Sequence, residues 1–373
     1  MKKLVLIAAS GTDFVSALKK SWDDGHCIAP LDMRLSASQQ KKQALLIQPD
    51  LVIEGSSNKY KEYSCDRTYA GLSSDDALVI PTSGSSGEPK LVIHTHKSLQ
   101  ASSYATSKAL GVAGSDIWLA CLPFAHIGGL SVIIRAIHTG TDFVVHDSFS
   151  AESVTKEAQN GATLVSLVTR MLNQIDPALF RKILVGGGPA PKNVPNNVIP
   201  TYGMTETGSG VVYGRKVVEG AEFKTVERQL FVKGPMLFRK YRGSDIEPFV
   251  DGWFPTGDLG SVNTDGSIEV FGRMSEAIRT GGEDVWPQKL EEVLVQHPLV
   301  KDVAIRSIPD PEWGERVITI IIPEELDNPP VLEDLKELSN THLPAWYAPK
   351  EIRIVKEIPR TALGKIQRSK LVN

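Results

Sequence analysis

The sequence predicts an α/β protein with a large N-terminal domain of mostly parallel sheets and a β-rich segment, followed by a small mobile α+β domain. Two observations support this prediction. Over roughly the first 200 residues, short apolar runs alternate with helix-like stretches, and buried strands separated by helices are typical of parallel sheets. After Gly272, a second series of strand-like and helix-like runs covers about a hundred residues, which is within the usual size of a domain.

The large domain begins with Lys3–Ala8, which is apolar from Leu4 onward and which we predict as the first strand. Met1-Lys2-Lys3 followed by LVLIAAS imitates the start of a signal peptide. Its apolar core, Leu4–Ala9, is however shorter than the roughly 7–15 residues that such a signal needs. The later strand-like runs are DLVIEG, ALVIPTSG, DIWLACLP, FVVHD, ATLVSLV, KILVGGG and VIPTYGM. The helix-like stretches include Asp13–Lys20, Ser98–Leu110, Gly129–Thr139 and Ala151–Asn160.

From about Gln229 the pattern changes to short alternating runs with Gly and Asp-Gly turns, which predicts antiparallel hairpins. These runs are QLFVKGP, GWFPTGDLGSV and GSIEVFGR. In the small domain we predict helices over Pro287–Gln296 and Val331–Asn340, and strands over KDVAIRSI, RVITIIIP and EIRIVKEI. The boundary is placed near Arg273–Ser275, which gives a large domain over 1–272 and a small domain over 273–373.

The composition is that of an ordinary globular protein from a reducing compartment. A formal net charge of −3 offers no electrostatic footprint for nucleic acid or an anionic membrane, and no apolar run approaches the roughly 18 residues of a membrane span. The three cysteines, Cys27, Cys65 and Cys121, are widely spaced and form no C-x-x-C pair. A disulfide framework or a zinc site is therefore not expected, whereas a cytoplasmic location is.

The first segment with candidate chemistry is PTSGSSGEPK, residues 81–90, which lies between two apolar runs. Gly84 and Gly87 allow a tight turn, and successive N–H groups in such a turn can bind an anion. Lys90 adds a full positive charge. The hydroxyl donors are Thr82, Ser83, Ser85 and Ser86. The segment lacks the G-K-[ST] of a Walker A loop, and a strand is predicted after it. Alone, it is nearly as well explained by a mobile Ser/Gly hairpin as by a polyphosphate loop.

Three further segments are weak signals when taken singly. In VIPTYGMTETGSG, residues 198–210, Glu206 follows a strand where a carboxylate can hold Mg²⁺, or it is a solvated loop residue. Asp258 in a Thr-Gly-Asp turn can accept hydrogen bonds from ribose hydroxyls, or it forms a plain Asx turn. Lys365 in PRTALGKIQRSKL, residues 359–371, is either a functional lysine or part of a solvated basic tail.

Taken together and in this order, the segments resemble the adenylate-forming superfamily of acyl-CoA synthetases, nonribosomal adenylation domains and luciferases. TSGSSGEPK is similar to the family's phosphate loop, YGMTE to its Tyr-Gly-x-Thr-Glu motif, TGD to its ribose motif and PRTALGK to its C-terminal lysine motif. The GR at 272–273 is similar to its hinge arginine. The resemblance covers about Gly25 to Leu371 and implies an acid–thiol ligase that uses ATP, Mg²⁺ and CoA, and that acts through an acyl-adenylate.

The resemblance also implies roles on the phosphate side of the site. Lys90 and the Thr82–Gly87 loop would hold the β- and γ-phosphates, with the loop closing over them when ATP binds. Glu206 would bind Mg²⁺, and Lys365 would reach the attacking carboxylate and the α-phosphate. The catalytic residues in this interpretation are Lys90, Thr205, Glu206 and Lys365.

On the adenosine side, the resemblance implies that Tyr202 stacks against adenine while the Gly186-Gly187-Gly188 turn passes its edge. Asp258 would accept the ribose hydroxyls, assisted by Arg273. The predicted nucleotide-binding residues are Thr82, Ser83, Gly84, Ser85, Ser86, Gly87, Lys90, Gly187, Gly188, Tyr202, Gly203, Met204, Thr205, Asp258, Arg273 and Lys365.

LPFAHIGGLSVIIRAIHTG, residues 122–140, resembles the family's acyl-pocket segment. His126, before Gly128, is expected to be a packed wall of the pocket rather than a catalyst. Arg135 is either a surface arginine or the partner of a second substrate carboxylate.

In the small domain, Gly281-Gly282 matches a glycine-rich loop that lines the thiol entrance. One face of this domain cannot offer Lys365 and this loop to the same site at once, so the resemblance implies a hinge rotation near Ser275.

Within the superfamily, PFAHIGG, GRMSEAIRTGGE and the short chain resemble the o-succinylbenzoate–CoA ligases of menaquinone biosynthesis. A CoA ligase for another aromatic or medium-chain acid, and a stand-alone adenylation enzyme that loads a carrier protein, remain alternatives. A non-catalytic nucleotide-binding regulator is a further alternative, which the retained lysine, acidic and arginine motif residues argue against. Family members usually have a longer N-terminal region, so a homodimer covering a sheet edge is one expectation. Leu91 stands where the family usually has glycine, with little consequence expected.

Overall fold

The computed structural model describes residues 2–66, 68–82, 89–188, 194–360 and 366–371. These residues form two compact units. The first consists of Met1–Phe223, Phe231–Pro255 and Thr264–Ile268, and the second of Lys224–Leu230, Thr256–Asn263 and Glu269–Asn373. The single domain boundary near Arg273–Ser275 stays a prediction.

The helices and strands follow the predicted alternation. The helices are α1 (Gly11–Asp23), α2 (Ala37–Ile47), α3 (His96–Leu110), α4 (Ile127–Thr139), α5 (Ala151–Gln159), α6 (Thr169–Leu172), α7 (Pro287–Leu294) and α8 (Leu332–His342). The strands of the first half are β1 (Leu4–Ala8), β2 (Cys27–Pro30), β3 (Leu51–Glu54), β4 (Lys61–Glu62), β5 (Asp76–Pro81), β6 (Leu91–Thr95), β7 (Ile117–Ala120), β8 (Asp142–Val145), β9 (Leu164–Leu167) and β10 (Lys182–Val185). The remaining strands are β11 (Val198–Met204), β12 (Ser209–Tyr213), β13 (Lys216–Val217), β14 (Glu222–Val226), β15 (Gln229–Lys233), β16 (Lys240–Arg242), β17 (Phe254–Val262), β18 (Ile268–Arg273), β19 (Ile278–Thr280), β20 (Glu283–Val285), β21 (Val300–Asp310), β22 (Gly314–Pro323) and β23 (Glu351–Ile354).

Two seven-stranded sheets build the first unit, and both are mixed. The first has the order β16-β6-β5-β2-β1-β3-β4, with parallel pairing around β1 and β2 and antiparallel pairing of β6 with β5 and β16. The second has the order β13-β12-β11-β10-β9-β7-β8, parallel from β8 to β11 and antiparallel beyond it. The central strands are apolar runs buried on both faces, as in helix-covered parallel sheets.

The start of helix α3 is set by a capping interaction between neighbouring side chains and backbone groups. Helix α3 begins at His96, two residues before the predicted start, because the Thr95 side chain accepts a hydrogen bond from the Ser98 amide and the Ser98 hydroxyl accepts one from the Thr95 amide. Helix α4 buries every residue from Gly129 to Ala136, which fits its nearly continuous apolar sequence. Among the described residues, no helix has both the length and the apolar character needed to cross a membrane.

A four-stranded sheet has the order β14-β15-β17-β18, and it contains the Gly-rich runs that were predicted as hairpins. The α+β portion of the second unit is a sheet in the order β20-β19-β22-β21, with β23 parallel to β22. Helices α7 and α8 contribute Leu290 and Leu335 to a core that also contains Trp286, Ile305 and Val317. Ala304 of β21 and Ile320 of β22 belong instead to a second cluster with Ile358 and Leu371, so the middle of the sheet is buried on both faces.

Candidate functional site

The hairpin of β5 and β6 brings the two ends of the predicted phosphate loop together. The Thr82 amide donates to the Lys90 carbonyl at 2.8 Å, and β6 follows directly, so the prediction of a strand after the loop is confirmed. Lys90 is exposed, with its ammonium 4.8 Å from the ring centre of Tyr241. The loop residues Ser83, Gly84, Ser85, Ser86 and Gly87 lie outside the described residues.

The YGMTE motif ends β11 and continues into a short 3-10 turn, Thr205–Thr207. Gly203 is required here because a Cβ atom would lie 2.3 Å from the Ser209 carbonyl oxygen. Met204 lies on the same strand end and is half-buried. The close pairing of β11 with β12 therefore fixes the direction in which the chain enters the Thr205–Thr207 turn.

Three hydrogen bonds from outside the motif hold this turn. The buried His94 imidazole donates from Nε2 to the Thr205 carbonyl at 2.7 Å, and the Phe238 amide donates to the Glu206 carbonyl at 2.8 Å. The Tyr241 hydroxyl donates to Glu206 Oε1 at 2.8 Å. Burial lowers the pKa of His94 to about 4, so its ring is neutral and a carbonyl acceptor fits it. Sequence reasoning missed His94 and Tyr241, although a histidine inside the apolar run LVIHT was a visible signal.

Glu206 can serve as a magnesium ligand of the kind that phosphate-binding enzymes use. Within the described ranges, no group of three or more His, Cys, Asp or Glu side chains is arranged to hold a metal ion. Mg²⁺ is commonly bound by one or two carboxylates together with substrate phosphates and water, rather than by an all-protein cage. A single half-buried carboxylate with one oxygen fixed by a tyrosine fits that donor set.

Parallel pairing places the predicted adenine elements side by side. Strand β10 ends at Val185, opposite Pro200 of β11, so the Gly186-Gly187-Gly188 turn lies at the sheet edge toward which β11 continues through Tyr202. Gly187 has a φ of 83°, and a Cβ at Gly186 would lie 2.6 Å from Thr201 Oγ1. The Tyr202 ring centre is 6.4 Å from that of Phe223. In open α/β sheets, ligands bind at such carboxyl edges.

His126 lies just before α4 and is held by a network that the sequence analysis did not identify. Arg34 Nη2 is 2.8 Å from His126 Nε2, and the same guanidinium forms a bidentate pair with Asp32 at 2.8 and 2.6 Å. Burial, and then the Arg34 charge, lower the pKa of His126, while Asp32 opposes them. The neutral ring therefore accepts from Arg34 at Nε2 and carries its proton on Nδ1. Gly128 is exposed next to it.

Arg135 is not a surface arginine, since it is 1% exposed. Its Nη2 donates to Ser209 Oγ at 2.9 Å, and its guanidinium lies 4.9 Å from the Trp118 ring centre. Its Nε and Nη1 have no hydrogen-bond partner in the described part of the chain. Burial lowers the pKa of this guanidinium, but arginine remains charged at neutral pH. A buried charge with two unused donors destabilises the fold unless a ligand supplies acceptors for them. This arrangement therefore fits a binding site.

In the second unit, the TGD and GR motifs meet. Arg273 Nε lies 2.9 Å from Asp258 Oδ1, and Arg273 Nη1 donates to the Thr256 carbonyl at 2.8 Å. Asp258 is 5% exposed and follows Gly257, whose φ is 73°. The two motifs, fifteen residues apart in the sequence, therefore form one charged pair between the middle of β17 and the end of the neighbouring strand β18.

The glycine-rich pair Gly281-Gly282 forms the tight turn between β19 and β20. Both have positive φ, 58° and 85°, and a Cβ at Gly281 would lie 2.9 Å from the Trp313 ring. These geometries require glycine. The predicted catalytic lysine, Lys365, lies outside the described residues.

Comparisons with known proteins identify the family. Residues 6–238 match the AMP-binding enzyme family, and residues 289–365 match the AMP-binding enzyme C-terminal domain. The chain belongs to the AMP-binding enzyme family, so the resemblance to adenylate-forming enzymes is confirmed.

The relatives carry a more specific name. The 2-succinylbenzoate–CoA ligase of Listeria monocytogenes is 34% identical over 79% of this chain and 69% of its own, and the probable enzyme of Mycobacterium tuberculosis is 35% identical over 81% and 85%. The o-succinylbenzoate CoA synthetase of Bacillus subtilis, solved with the acyl-adenylate OSB-AMP, has a TM-score of 0.86 and 25% identity over 99% of this chain and 88% of its own. The predicted fold class is thereby confirmed.

Proposed function

We propose that this chain is an AMP-forming acid–thiol ligase that joins 2-succinylbenzoate to CoA. The relatives' names agree with this substrate, and the observation in this chain that carries the proposal is Arg135. A buried guanidinium with Nε and Nη1 unused is suited to an acid that has a second carboxylate in addition to the one being activated.

The reaction has two steps. In the first, a carboxylate oxygen of the acid attacks the α-phosphorus of ATP, and the bond to pyrophosphate breaks so that pyrophosphate leaves with the electron pair. In the second, the CoA sulfur attacks the acyl carbon, the thiol proton is released to solvent, and AMP leaves. Because the attacking carboxylate is already a nucleophile, the site must mainly supply alignment and charge neutralisation.

On the phosphate side, Lys90 and the Thr82–Gly87 loop hold the β- and γ-phosphates. The hairpin contact between the Thr82 amide and the Lys90 carbonyl supports this role, because it brings together residues from the two ends of the loop segment. Thr205 contacts phosphate, and Glu206 binds Mg²⁺ together with phosphate oxygens. The metal ion supplies Lewis-acid screening of the phosphate charge.

On the adenosine side, Tyr202 stacks against adenine beside Gly187 and Gly188, and the common edge of β10 and β11 supports this placement. Asp258 accepts hydrogen bonds from the ribose hydroxyls, and its ion pair with Arg273 holds the carboxylate in place. Lys365 stabilises charge on the attacking carboxylate and the α-phosphate. Gly281 and Gly282 line the entrance for the CoA thiol.

On the acyl side, His126 and Gly128 form the wall before α4, and Arg135 receives the second carboxylate. His126 is neutral, so it adds no charge that would compete with Arg135 for that carboxylate. The long apolar sequence of α4 supplies the surface for an aromatic ring.

We also propose a cytoplasmic location and a homodimer. Cys27, Cys65 and Cys121 are all unpaired, which supports a reducing compartment. The edge of the first sheet is the two-residue strand β4, whose residues are both exposed, and a second copy would cover it. Fractionation of cells and light scattering of the purified chain test these two proposals.

The deciding experiment measures pyrophosphate release over a panel of carboxylic acids, with and without CoA. Release with 2-succinylbenzoate, and formation of its thioester when CoA is added, is the expected result. Preference for another aromatic or medium-chain acid would change the proposed substrate. Thioester formation only on a carrier protein would mean that this carrier protein, and not CoA, is the acyl acceptor. No release with any acid would favour a nucleotide-binding regulator.

A further inference from the structure

Tyr241 contacts both charged side chains that the proposed function assigns to the phosphates and the metal ion. Its hydroxyl donates to Glu206 Oε1 at 2.8 Å, and its ring centre lies 4.8 Å from the Lys90 ammonium. Tyr241 itself lies on β16, more than thirty residues beyond the YGMTE motif and outside every motif segment. Its position at this junction is therefore a finding of the structure.

The surroundings of Tyr241 fix its ring in place. Strand β16 pairs with β6, and Tyr241 lies opposite Val92, two residues after Lys90. The Tyr241 ring packs against Phe238, with 4.8 Å between ring centres, and Phe238 is itself buried between Phe249 and Phe254. The Phe238 amide also holds the Glu206 carbonyl. One short segment thus holds both the backbone and the carboxylate of Glu206.

The arrangement also keeps opposite charges apart. Within the described residues, Lys90 and Glu206 form no ion pair with one another, and each contacts Tyr241. A direct Lys–Glu pair would neutralise the two groups that a magnesium–triphosphate ligand needs separately. The hydroxyl is a donor that the carboxylate prefers in its ionised, metal-binding form, and the ring face attracts the ammonium.

We propose that Tyr241 is a positioning residue: its hydroxyl orients the Glu206 carboxylate toward the metal ion, and its ring holds the Lys90 ammonium toward the phosphates. The inference rests on the proposed function for the roles of Lys90 and Glu206. It adds a residue that acts through these two groups and touches neither the acid nor CoA.

The test is the substitution Tyr241→Phe, which deletes the hydroxyl and retains the ring. ATP binding is measured by calorimetry with Mg²⁺ and again with EDTA. We expect the dissociation constant for magnesium–ATP to rise about tenfold, as for the loss of a hydrogen bond to a charged group, while metal-free ATP binds as before. Tyr241→Leu also removes the ring face, so it should weaken metal-free ATP as well.

Tyr104→Phe is the matched control, because this exposed tyrosine also donates from its hydroxyl, but to a backbone carbonyl in the last turn of α4, that of His138, rather than to a carboxylate. In a Glu206→Gln background, Tyr241→Phe should have no further effect on magnesium–ATP. Unchanged magnesium–ATP binding by Tyr241→Phe, or equal weakening with Mg²⁺ and with EDTA, would overturn the proposal. Binding is measured without acid or CoA, so a chain that releases no pyrophosphate would refute the proposed function and still give a readable result here.

Discussion

Replacing Arg135 with methionine separates the recognition of a second carboxylate from the chemistry of activation. The guanidinium is buried and has two unused nitrogens, so we expect kcat/KM for 2-succinylbenzoate to fall on the order of 10²-fold in Arg135→Met. An analogue in which the second carboxyl group is replaced by hydrogen should be used about equally by both proteins. Steady-state pyrophosphate release with the two acids is the measurement. An equal fall in kcat/KM with both acids would mean that Arg135 has a structural role and does not bind the second carboxylate.

Stability should respond differently to the loss of Arg239, which pairs with a buried carboxylate, and to the loss of Arg135, which is itself buried. Arg239 forms a bidentate pair with Asp76, which is fully buried, so Arg239→Met leaves an uncompensated charge and should cost about 3 kcal/mol. Arg135 has no carboxylate partner among the described residues, so Arg135→Met should leave stability unchanged or raise it. Urea unfolding of both variants tests this contrast. Equal destabilisation would mean that Arg135 has an unrecognised structural partner.

The protonation of His126 should depend on Arg34. The Arg34 charge lowers the pKa of His126 and Asp32 raises it, so Arg34→Gln removes a lowering influence and leaves the raising one. The pKa of His126 should therefore rise in Arg34→Gln and change much less in Arg34→Lys, which keeps the charge. NMR titration of the imidazole measures both. A fall in the pKa of His126 in Arg34→Gln would contradict the assigned network.

At the level of single elements, the strands that carry the motifs could be predicted from the sequence. The distant strands with which they pair could not. Local patterns placed β5, β6, β11 and their connecting helices, because apolar runs and caps are encoded within a few residues. The pairing of β16 with β6 joins segments about 150 residues apart, and no local pattern specifies it. For this reason Glu206 and Lys90 were proposed from sequence, whereas Tyr241, His94 and Arg34 required the structure.

The contact between β6 and the YGMTE turn predicts a pH dependence of folding. The pKa of His94 is about 4 in the folded chain and near 6.5 when unfolded, so only the unfolded chain takes up this proton between those values. Stability from His94 is complete above pH 6.5 and is lost as the pH falls toward 4. His94→Gln should therefore lower the slope of unfolding free energy against pH by up to about 1.4 kcal/mol per pH unit in that window.

Urea titrations at several pH values measure this slope. The pKa values of His26, His96, His126 and His138 are also lowered by burial, so part of the acid sensitivity should remain in His94→Gln. His342→Gln is the matched control, because this histidine is exposed on the last turn of α8. An unchanged slope in His94→Gln would mean that the folded chain takes up the His94 proton as readily as the unfolded chain does.

At the scale of the whole molecule, the two half-reactions should be separable by single substitutions. Lys365→Ala should reduce pyrophosphate release on the order of 10²–10³-fold, because one charge-stabilising donor is lost, while ATP still binds. The same variant should convert synthetic acyl-adenylate and CoA into thioester nearly normally. Gly281→Ala should show the reverse pattern, since Gly281 has a φ of 58° and a Cβ would lie 2.9 Å from the Trp313 ring.

The comparison needs a control for backbone strain. Gly266→Ala imposes a similar strain at a φ of 77°, where a Cβ meets nothing within 4 Å, and both half-reactions should survive it. If Lys365 and Gly281 serve successive steps, the variants fail at different steps. When the two proteins are mixed with all substrates, thioester should then form no faster than the Gly281 variant releases acyl-adenylate into solution. If each variant loses both steps equally, the two residues serve one fixed arrangement, and the predicted hinge rotation near Ser275 is wrong.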